Sequence, residues 1–565
     1  MTGPPGTGLA RVARGGVLNL AGAAVAAAAS VGLTVVVTRA FNQAAAGAFF
    51  VATSLFLIAE TVTGLGACDG TIYFIARLRA LGAERRIPAI VRAAVVPVAL
   101  AAATGAVALI AFAHPLARAL LGGAAAQRQD GVAEAIRVLA LALPFAALAD
   151  TMLGTARGYQ EMRPTVAVDR VGRSGLQLLG AAVAAALAGG LLSGALRSGV
   201  LRSGVLRSGA LWPGLASSGP VPLAVAWALP YVPAAICSAL WLRRVMRRHR
   251  VPSAVAPPMP PVLTAADLAM LGRRHGKPSA RGFWRFTAPR SAAALAQIVV
   301  QRLDIVLVGM MRGPAAAAVY TAATRFLVAG QLGNAAIAMA AQPQLARLFA
   351  IGDRPGARAV YQATTAWLVL LSWPLYLLAA VFGPSVLAVF GRSYQAGGSV
   401  MVILAMAMLV ASACGQVDVV LITAGRSGAS LANGLLAMSV NVGLDVVLIP
   451  AFGIAGAAVG WAAAIVITNL LPLVQVALAV GVHPFGRRTI AACGLAGLSF
   501  GAIPLALRAI AGTGPAVLGA ATVLGGLTLV AGLWLLRGPT SRYHEKAPDH
   551  GVGSGTVRSG RRSMA

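Results

Sequence analysis

The segment from Ala296 to Leu332 reads AQIVVQRLDIVLVGMMRGPAAAAVYTAATRFLVAGQL and indicates the class of protein. Two apolar runs, each close to the length of a membrane-spanning helix, are joined by the tight break Met311–Pro314. Three charges interrupt these runs: Arg302, Asp304 and Arg325. A charge inside hydrocarbon costs several kcal/mol unless it faces protein or water, so each marks a functional-site hypothesis. The segment therefore predicts a membrane hairpin with a polar site.

The same segment has a weaker copy 270 residues earlier. Residues Ala45–Ala59 (AAGAFFVATSLFLIA) align with Ala315–Ala329 (AAAAVYTAATRFLVA). Without a gap, the register continues into two basic loops, Ala76–Gly82 and Ala346–Gly352. The two halves of the chain are therefore predicted to be copies in parallel orientation.

Composition supports an all-α polytopic membrane protein. Of 565 residues, 58% are hydrophobic and 11% charged, with a mean hydropathy of +0.80, which is far too apolar for a soluble protein of this length. At about 20 apolar residues per span, the chain predicts about 14 transmembrane helices. The predicted parts are an N-lobe of six helices (1–242), a linker (243–283), a C-lobe of six helices (284–480), helices 13 and 14 (481–537) and a disordered tail (538–565).

The net charge of +31 is unevenly distributed. If the N-terminus lies inside, 33 of the 46 Lys and Arg residues fall in cytoplasmic segments. This is the positive-inside pattern, and it predicts a multi-pass protein of the cytoplasmic membrane with both termini cytoplasmic. Scattered basic residues exclude nucleic acid as a partner and favour contact with anionic membrane lipids.

Two segments are predicted to lie outside the membrane. The loop 193–219 contains the five-residue repeat Ser193–Trp212, whose arginines violate the charge rule on the outer side, and we interpret it as low-complexity loop. The linker opens with RRVMRRHR and continues with five prolines. Its basic cluster is either a stop-transfer signal or a binding site for acidic lipid.

The sequence contains none of the common catalytic motifs, so an enzyme is not predicted. The six histidines lie far apart in loops or tails, and the four cysteines lie in or beside apolar runs without metal-ligand spacing. No cofactor or metal is predicted. Uphill transport would have to draw on an ion gradient, of H+ or Na+, or on a downstream sink.

Arg302 and Arg325 are the leading substrate-binding candidates. They lie ten and thirteen residues from Arg312 at the turn, which places them at similar depth on antiparallel helices. One interpretation is a cationic wall for a pyrophosphate, because arginine offers forked donors with a permanent charge. The alternative is that Asp304 and Arg325 only neutralise each other.

The ion-coupling candidates are the acids within the predicted spans: Glu60, Asp150, Asp304, Asp418 and Asp445. Glu60 is either a proton or sodium site or a carboxyl that reaches towards a cavity. Asp150 and Asp418 are equivalent under the repeat, and a structural hydrogen bond near a helix end is the alternative role for both. Asn441 lies four residues before Asp445, so the two share a helix face.

The segment Ser439–Gly460, SVNVGLDVVLIPAFGIAGAAVG, resembles the hairpin of helices 11 and 12 in the polysaccharide repeat-unit flippases. These belong to the multidrug/oligosaccharidyl-lipid/polysaccharide (MOP) exporter superfamily. Pro289, the turn after Asp304 and the motif YTAATR (320–325) are similar to the second-lobe entry of that family, and Thr38-Arg39 is a weaker match in the first lobe.

The resemblance implies two six-helix lobes around a central cavity that moves lipid-linked glycans by alternating access. Together with the repeat and the buried arginines, it leads us to expect export of an undecaprenyl-pyrophosphate-linked oligosaccharide. The substrate-binding candidates are Arg302, Arg325, Arg39 and Asn441, and the expected partners are a polysaccharide polymerase and glycosyltransferases. The two extra C-terminal helices are similar to those of peptidoglycan-precursor flippases, so a lipid II flippase is the alternative. A cation-coupled drug exporter would need an acid-lined cavity poor in arginine, and a membrane glycosyltransferase would need a catalytic acid on an outer loop.

Overall fold

The structure is a computed structural model that describes residues 6–80, 82–121, 126–188, 219–249 and 280–537. The five-residue repeat Ser193–Trp212, most of the linker 243–283 and the predicted disordered tail 538–565 lie outside the described residues. Within the described ranges the chain is helical and contains no strand.

The described residues of the first half form nine α-helices. They are α1 (Gly6–Ala40), α2 (Gln43–Gly64), α3 (Ala67–Ala80), α4 (Ile87–Ala111), α5 (Ala113–Leu121), α6 (Ala126–Gly158), α7 (Ser174–Ala188), α8 (Val221–Ala228) and α9 (Tyr231–Arg248). A π-helical segment, Thr165–Arg173, leads directly into α7.

The second half contributes the remaining described helices. They are α10 (Ala280–Arg312), α11 (Pro314–Ala350), α12 (Arg354–Leu387), α13 (Gly398–Cys414), α14 (Val417–Thr423), α15 (Ser427–Phe452), α16 (Ile454–Val480), α17 (Arg487–Gly497), α18 (Ile503–Ala511) and α19 (Pro515–Arg537).

Thirteen of the described helical segments are long and apolar enough to cross a membrane, which confirms the predicted polytopic all-α class. The predicted eighth span corresponds to α11, which has 37 residues and is therefore long enough to cross. It is less apolar than the others because Arg325 and the polar residues Gln331 and Asn334 lie within it.

The prediction of one continuous tenth helix over 398–423 is wrong. The helix stops at Cys414 and restarts at Val417, and Gly415 between them has a φ of +67°. A Cβ on Gly415 would lie 2.0 Å from the Thr365 hydroxyl oxygen, so the close approach of α12 requires glycine at this position. The first half breaks elsewhere, at Leu65 between α2 and α3.

The two lobes meet along α2, which packs against both α10 and α11. The contact is closest where α2 and α11 begin, because a Cβ on Gly47 would lie 1.6 Å from the backbone oxygen of Pro314. This end of the bundle contains the α1–α2, α10–α11 and α12–α13 junctions, and we call it the distal face. The opposite end is the proximal face, which the charge pattern predicts to be cytoplasmic.

The lobes also touch near the proximal face, through aromatic side chains of α3 and α10. Tyr73 stacks on Phe286 with ring centroids 4.1 Å apart, and Phe74 lies 5.3 Å from Phe283. Gly70 lets the helices approach, since a Cβ there would lie 2.5 Å from the Thr287 hydroxyl. The two lobes are therefore in contact both at the distal face and near the proximal face.

We expect Gly47→Ala to destabilise the protein by at least about 2 kcal/mol, because overpacking a close helix contact forces the backbones apart. Thermal unfolding of the purified protein in detergent would show this as a lower Tm. Gly64→Ala is the matched control, since it lies on the same helix with no atom within 4 Å of the added Cβ. Equal Tm values for the two variants would contradict the proposed close contact.

Candidate functional site

A large cavity of about 1020 Å³ lies in the second lobe and reaches the first lobe at Asp69. Amide side chains dominate its polar lining. They come from α10, α11, α15 and α16, and they are Gln297, Gln301, Gln331, Asn334, Asn433 and Asn469. Arg290 and Asp418 are the other charged residues of the lining, and Tyr376 and Trp461 supply aromatic surface.

Arg325 lies within electrostatic range of Arg302, and the spacing of both from the α10–α11 turn predicts a similar depth. Both are largely enclosed, and the Nε atom of each is buried without a hydrogen-bond partner among the described residues. Neither lines the cavity itself. Arg302 directly follows the lining residue Gln301, so the pair lies beside the cavity on its distal side.

Asp304 does not form an ion pair with Arg325 within the described part of the chain. Its carboxylate accepts a short hydrogen bond from the Tyr320 hydroxyl and a 2.7 Å bond from the Ile305 amide. Asp304 and Tyr320 are both fully buried. The alternative in which Asp304 neutralises Arg325 is therefore not supported, because Arg302 is the arginine within electrostatic range of Asp304.

Asn441 and Asp445 form a second buried polar group, on α15. Both are 0% exposed, and all four of their side-chain nitrogen and oxygen atoms lack a hydrogen-bond partner in the described structure. Asp304 lies within electrostatic range of Asp445. On α16, Gly460 leaves room beside the carboxylate, since a Cβ there would lie 2.2 Å from Asp445 Oδ1.

These buried oxygens fit a small hard cation. Carboxylate and amide oxygens are ligands that alkali and alkaline-earth ions prefer, and buried polar atoms without partners, such as those of Asn441 and Asp445, normally signal a missing ligand or water. The described residues contain no group of three His, Cys, Asp or Glu placed to hold a metal ion. The arrangement is therefore a candidate site for a coupling cation or proton rather than a structural metal centre.

The first lobe holds a charged network around Arg173, and one of its members, Tyr231, also lies within electrostatic range of Arg302. The Arg173 guanidinium donates to Asp169 at 2.7 Å, Gln177 at 3.1 Å and the Tyr231 hydroxyl at 3.4 Å, and it also lies 5.0 Å from the Tyr231 ring centroid. Glu60, the predicted ion-coupling candidate of α2, lies within electrostatic range of Arg173. The charge of Arg173 is thus balanced by protein groups.

Sequence reasoning missed Arg173 and Asp169. Both residues lie in the segment Thr165–Ala188, which is long and apolar enough to cross a membrane. They lie in the π-helical segment, and such segments often occur at functional sites. The i, i+4 spacing of the two charges was the available signal.

The repeat-related acids Asp150 and Asp418 lie in α6 and α14, and each accepts a side-chain hydrogen bond. Asp150 accepts from Arg157 at 3.4 Å, and the same Nη2 lies 2.7 Å from the Cys68 sulfur. Asp418 accepts from the Ser430 hydroxyl at 2.6 Å and lines the cavity. Both acids thus have a hydrogen-bond donor, as the alternative role of a structural hydrogen bond near a helix end requires.

Arg39, predicted to bind substrate, lies instead at the distal face. Its Nε donates to the Val389 oxygen at 2.8 Å and its Nη2 to the Ala388 oxygen at 2.9 Å. These bonds join the end of α1 to the end of α12 across the two lobes. The physical reason is that carbonyls at a helix C-terminus lack helical partners and carry partial negative charge, which an arginine can satisfy.

Comparisons with known proteins agree with this architecture. Residues 271–397 match the model of a family described as polysaccharide biosynthesis protein. No curated protein matches the sequence. The chain is similar to an inward-facing multidrug resistance transporter of the MATE family of the MOP superfamily, with 14% identity and a TM-score of 0.59 over 82% of this chain and 98% of that one.

Two other solved structures are similar. One is the lipid II flippase MurJ in an inward closed conformation, with 10% identity and a TM-score of 0.63 over 90% of this chain and 96% of that one. The other is a MOP superfamily transporter from Pyrococcus furiosus, with 16% identity and a TM-score of 0.50 over 83% and 95%. At these identities the likeness shows the fold, and with the family match it confirms the predicted resemblance.

We expect Arg39→Gln to loosen the distal contact between the lobes, because a neutral amide cannot replace two charge-assisted hydrogen bonds. Hydrogen exchange followed by mass spectrometry should show faster exchange over residues 384–394. Arg118→Gln is the control, since Arg118 is an exposed arginine near the same face. Unchanged exchange over 384–394 would mean that the bonds to Ala388 and Val389 do not hold this face closed.

Proposed function

Since the chain has the fold of the MOP exporter superfamily, we propose that it flips an undecaprenyl-pyrophosphate-linked oligosaccharide, a polysaccharide repeat unit, across the cytoplasmic membrane by alternating access. The observation that supports this substrate is the arginine pair Arg302 and Arg325. The two guanidiniums repel each other in a largely enclosed site, and each has a buried Nε without a hydrogen-bond partner in the described residues.

The charge around this pair favours a polyanion. Asp304 can offset only one of the two positive charges, so one positive charge is left over. Its carboxylate also accepts hydrogen bonds from Tyr320 and the Ile305 amide. Such an excess inside a membrane is tolerable when water or an anionic ligand reaches it. A pyrophosphate supplies two phosphoryl groups whose oxygens match the planar fork of arginine.

The amide-lined cavity next to the arginine pair would receive the glycan. Amide side chains both donate and accept hydrogen bonds, as sugar hydroxyls do, and ligand sites typically combine a few such groups with aromatic surface. Gln301, which lines the cavity, directly precedes Arg302 in α10, and Tyr376 lines the same cavity. The pyrophosphate and the first sugar could therefore be bound together.

The buried group of Asp304, Asn441 and Asp445 would couple transport to a monovalent cation or a proton. These side chains come from α10 and α15 and lie beside α16, so a bound cation would hold these helices together. Release of the cation would leave two carboxylates in mutual repulsion. The occupancy of this site would therefore bias the packing of the second lobe.

A lipid II flippase is the second candidate, because the chain has a fold similar to MurJ, which is described as a lipid II flippase. Both substrates carry an isoprenoid pyrophosphate, so the arginine pair does not distinguish between them. The residues that line the amide-lined cavity would distinguish the repeat-unit oligosaccharide from the glycan of lipid II. A cation-coupled drug exporter is disfavoured by two buried arginines, and the proposed partners of the leading candidate are a polysaccharide polymerase and glycosyltransferases.

We expect Arg325→Gln to weaken binding of undecaprenyl pyrophosphate about tenfold or more, since a hydrogen bond to a charged group contributes roughly 1.5–3 kcal/mol. Arg325→Lys should bind undecaprenyl pyrophosphate with intermediate affinity, because lysine retains the positive charge but lacks the paired N–H donors of the guanidinium group. Native mass spectrometry of the purified protein would measure both, with undecaprenol as the ligand that lacks phosphate.

If Arg325→Gln lowers the amount of folded protein while the remaining molecules bind undecaprenyl pyrophosphate normally, the arginine is only structural. Normal binding combined with lost glycan export would instead place the defect in the conformational cycle and contradict the assignment of Arg325 to the substrate.

Asp445→Asn should remove the response to the coupling cation, because the site loses one of its two carboxylates. We expect wild-type protein in detergent to gain thermal stability on addition of NaCl at constant ionic strength, and the variant to gain none. Asp418→Asn is the control, since Asp418 lies in the open cavity. If the site instead binds a proton, NaCl would not change the thermal stability of the wild type. The wild type and Asp445→Asn would then differ in how their thermal stability responds to a lower pH.

A further inference from the structure

A second cavity, of about 520 Å³, lies on the proximal face of the first lobe, separate from the amide-lined cavity. It lies between the start of α4, the end of α6 and the end of α9. Three arginines line it, Arg85, Arg243 and Arg247, together with His249, Tyr159, Glu84, Pro88 and Met246. Glu84 is offset by Arg79, whose Nε lies 3.4 Å from its carboxylate.

The inner wall of this cavity is ordered by Tyr159. Its backbone oxygen accepts a 3.0 Å hydrogen bond from Arg79, whose guanidinium lies 5.2 Å from the ring centroid, and the His249 ring stacks on it at 5.4 Å. Burial raises the pKa of Tyr159 to about 12. The hydroxyl is therefore protonated at neutral pH and able to donate to an anion.

Two helices beside the cavity, α4 and α9, each change from apolar to basic exposed residues near the proximal face. Pro88, Arg92 and Val96 on α4 follow one another at helical spacing and are all exposed, and Arg85, in the 3-10 helix Glu84–Arg86 just before α4, is exposed as well. On α9, the exposed residues Ile236 and Leu240 are followed at the same spacing by Arg243 and Arg247. Each helix thus presents an exposed face that passes from apolar to basic along its length.

Both helices pack on α6, and this basic boundary lies where each of them meets the proximal face. An apolar face that ends in arginines is the pattern of a site where acyl chains lie along the helix and a headgroup phosphate lies at its end. Neither Arg243 nor Arg247 forms an ion pair within the described part of the chain, so both are available to a ligand. A soluble anion would interact with the arginines, but it would not require the exposed apolar residues next to them along each helix.

We propose that this cavity binds the phosphate headgroup of an anionic phospholipid of the membrane leaflet at the proximal face, with Arg243 and Arg247 as the principal donors. Their guanidinium groups would donate to the phosphate oxygens, and Tyr159 would donate a third hydrogen bond. The exposed residues Leu240 and Val96, on the membrane side of Arg243 and Arg92, would contact the first acyl carbons. The site is separate from the arginine pair of the second lobe and does not depend on the substrate proposed above.

The test compares two double variants of the full-length protein. Arg243→Gln with Arg247→Gln removes two charges that line the cavity, and Arg244→Gln with Arg248→Gln removes two exposed charges from the same helix that do not line it. Native mass spectrometry after titration with dioleoylphosphatidylglycerol or dioleoylphosphatidylcholine would measure retained lipid. We expect the cavity variant to bind phosphatidylglycerol about tenfold more weakly and the control variant to bind it nearly as the wild type does.

Three results would overturn the proposal. Equal losses in both double variants would mean that the lipid responds to the overall basic charge of α9. Equal retention of phosphatidylcholine and phosphatidylglycerol by the wild type would mean that no anionic headgroup is selected. Displacement of phosphatidylglycerol by millimolar inorganic pyrophosphate would assign the cavity to a soluble phosphate compound instead of a lipid.

Discussion

The uncompensated positive charge on the α10–α11 hairpin is the constraint on which the rest of the second lobe depends. A guanidinium in hydrocarbon must face water, a counter-ion or a protein acceptor, and the described residues supply no carboxylate partner for Arg325. Access for water or an anion is therefore required, and the amide-lined cavity lies where it can provide it. The glycine contact between α2 and α11 lets the lobes close on the distal side of the same hairpin.

The two halves of the chain share a sequence pattern 270 residues apart, yet they satisfy their charges differently. In the first lobe, Arg173 is held by Asp169, Gln177 and Tyr231, so its charge is balanced by protein groups. In the second lobe, Arg302 and Arg325 lack such a network, and Asn441 and Asp445 have no partners among the described residues. A balanced network resists rearrangement, whereas unbalanced charges change their preferred packing when a ligand arrives. Ligand-dependent motion is therefore expected to originate in the second lobe.

Much of this organisation could be predicted from the sequence. Long apolar runs fix the number of membrane spans, and the residue count from the turn at Arg312 fixes the similar depth of Arg302 and Arg325, because helical rise is regular. The failures have a common cause, which is that they depend on contacts between distant segments. The role of Arg39 depends on two carbonyls about 350 positions away, and the break at Gly415 depends on the approach of Thr365. The role of Arg173 depends in part on Tyr231, which lies 58 positions later in the chain.

The two arginine sites differ in depth, and depth determines what each can bind. At the proximal face, Arg243 and Arg247 are hydrated when empty, so an anionic headgroup gains only the difference between water and protein contacts. Exchange with other lipids should then be easy. At the hairpin, Arg302 and Arg325 are largely enclosed, and closing the lobes around them without an anion would remove the remaining water from an unbalanced charge. A bound pyrophosphate removes that penalty. The same charge that recognises the proposed substrate would therefore also suppress closure of the empty transporter, which links substrate binding to the alternation of the lobes.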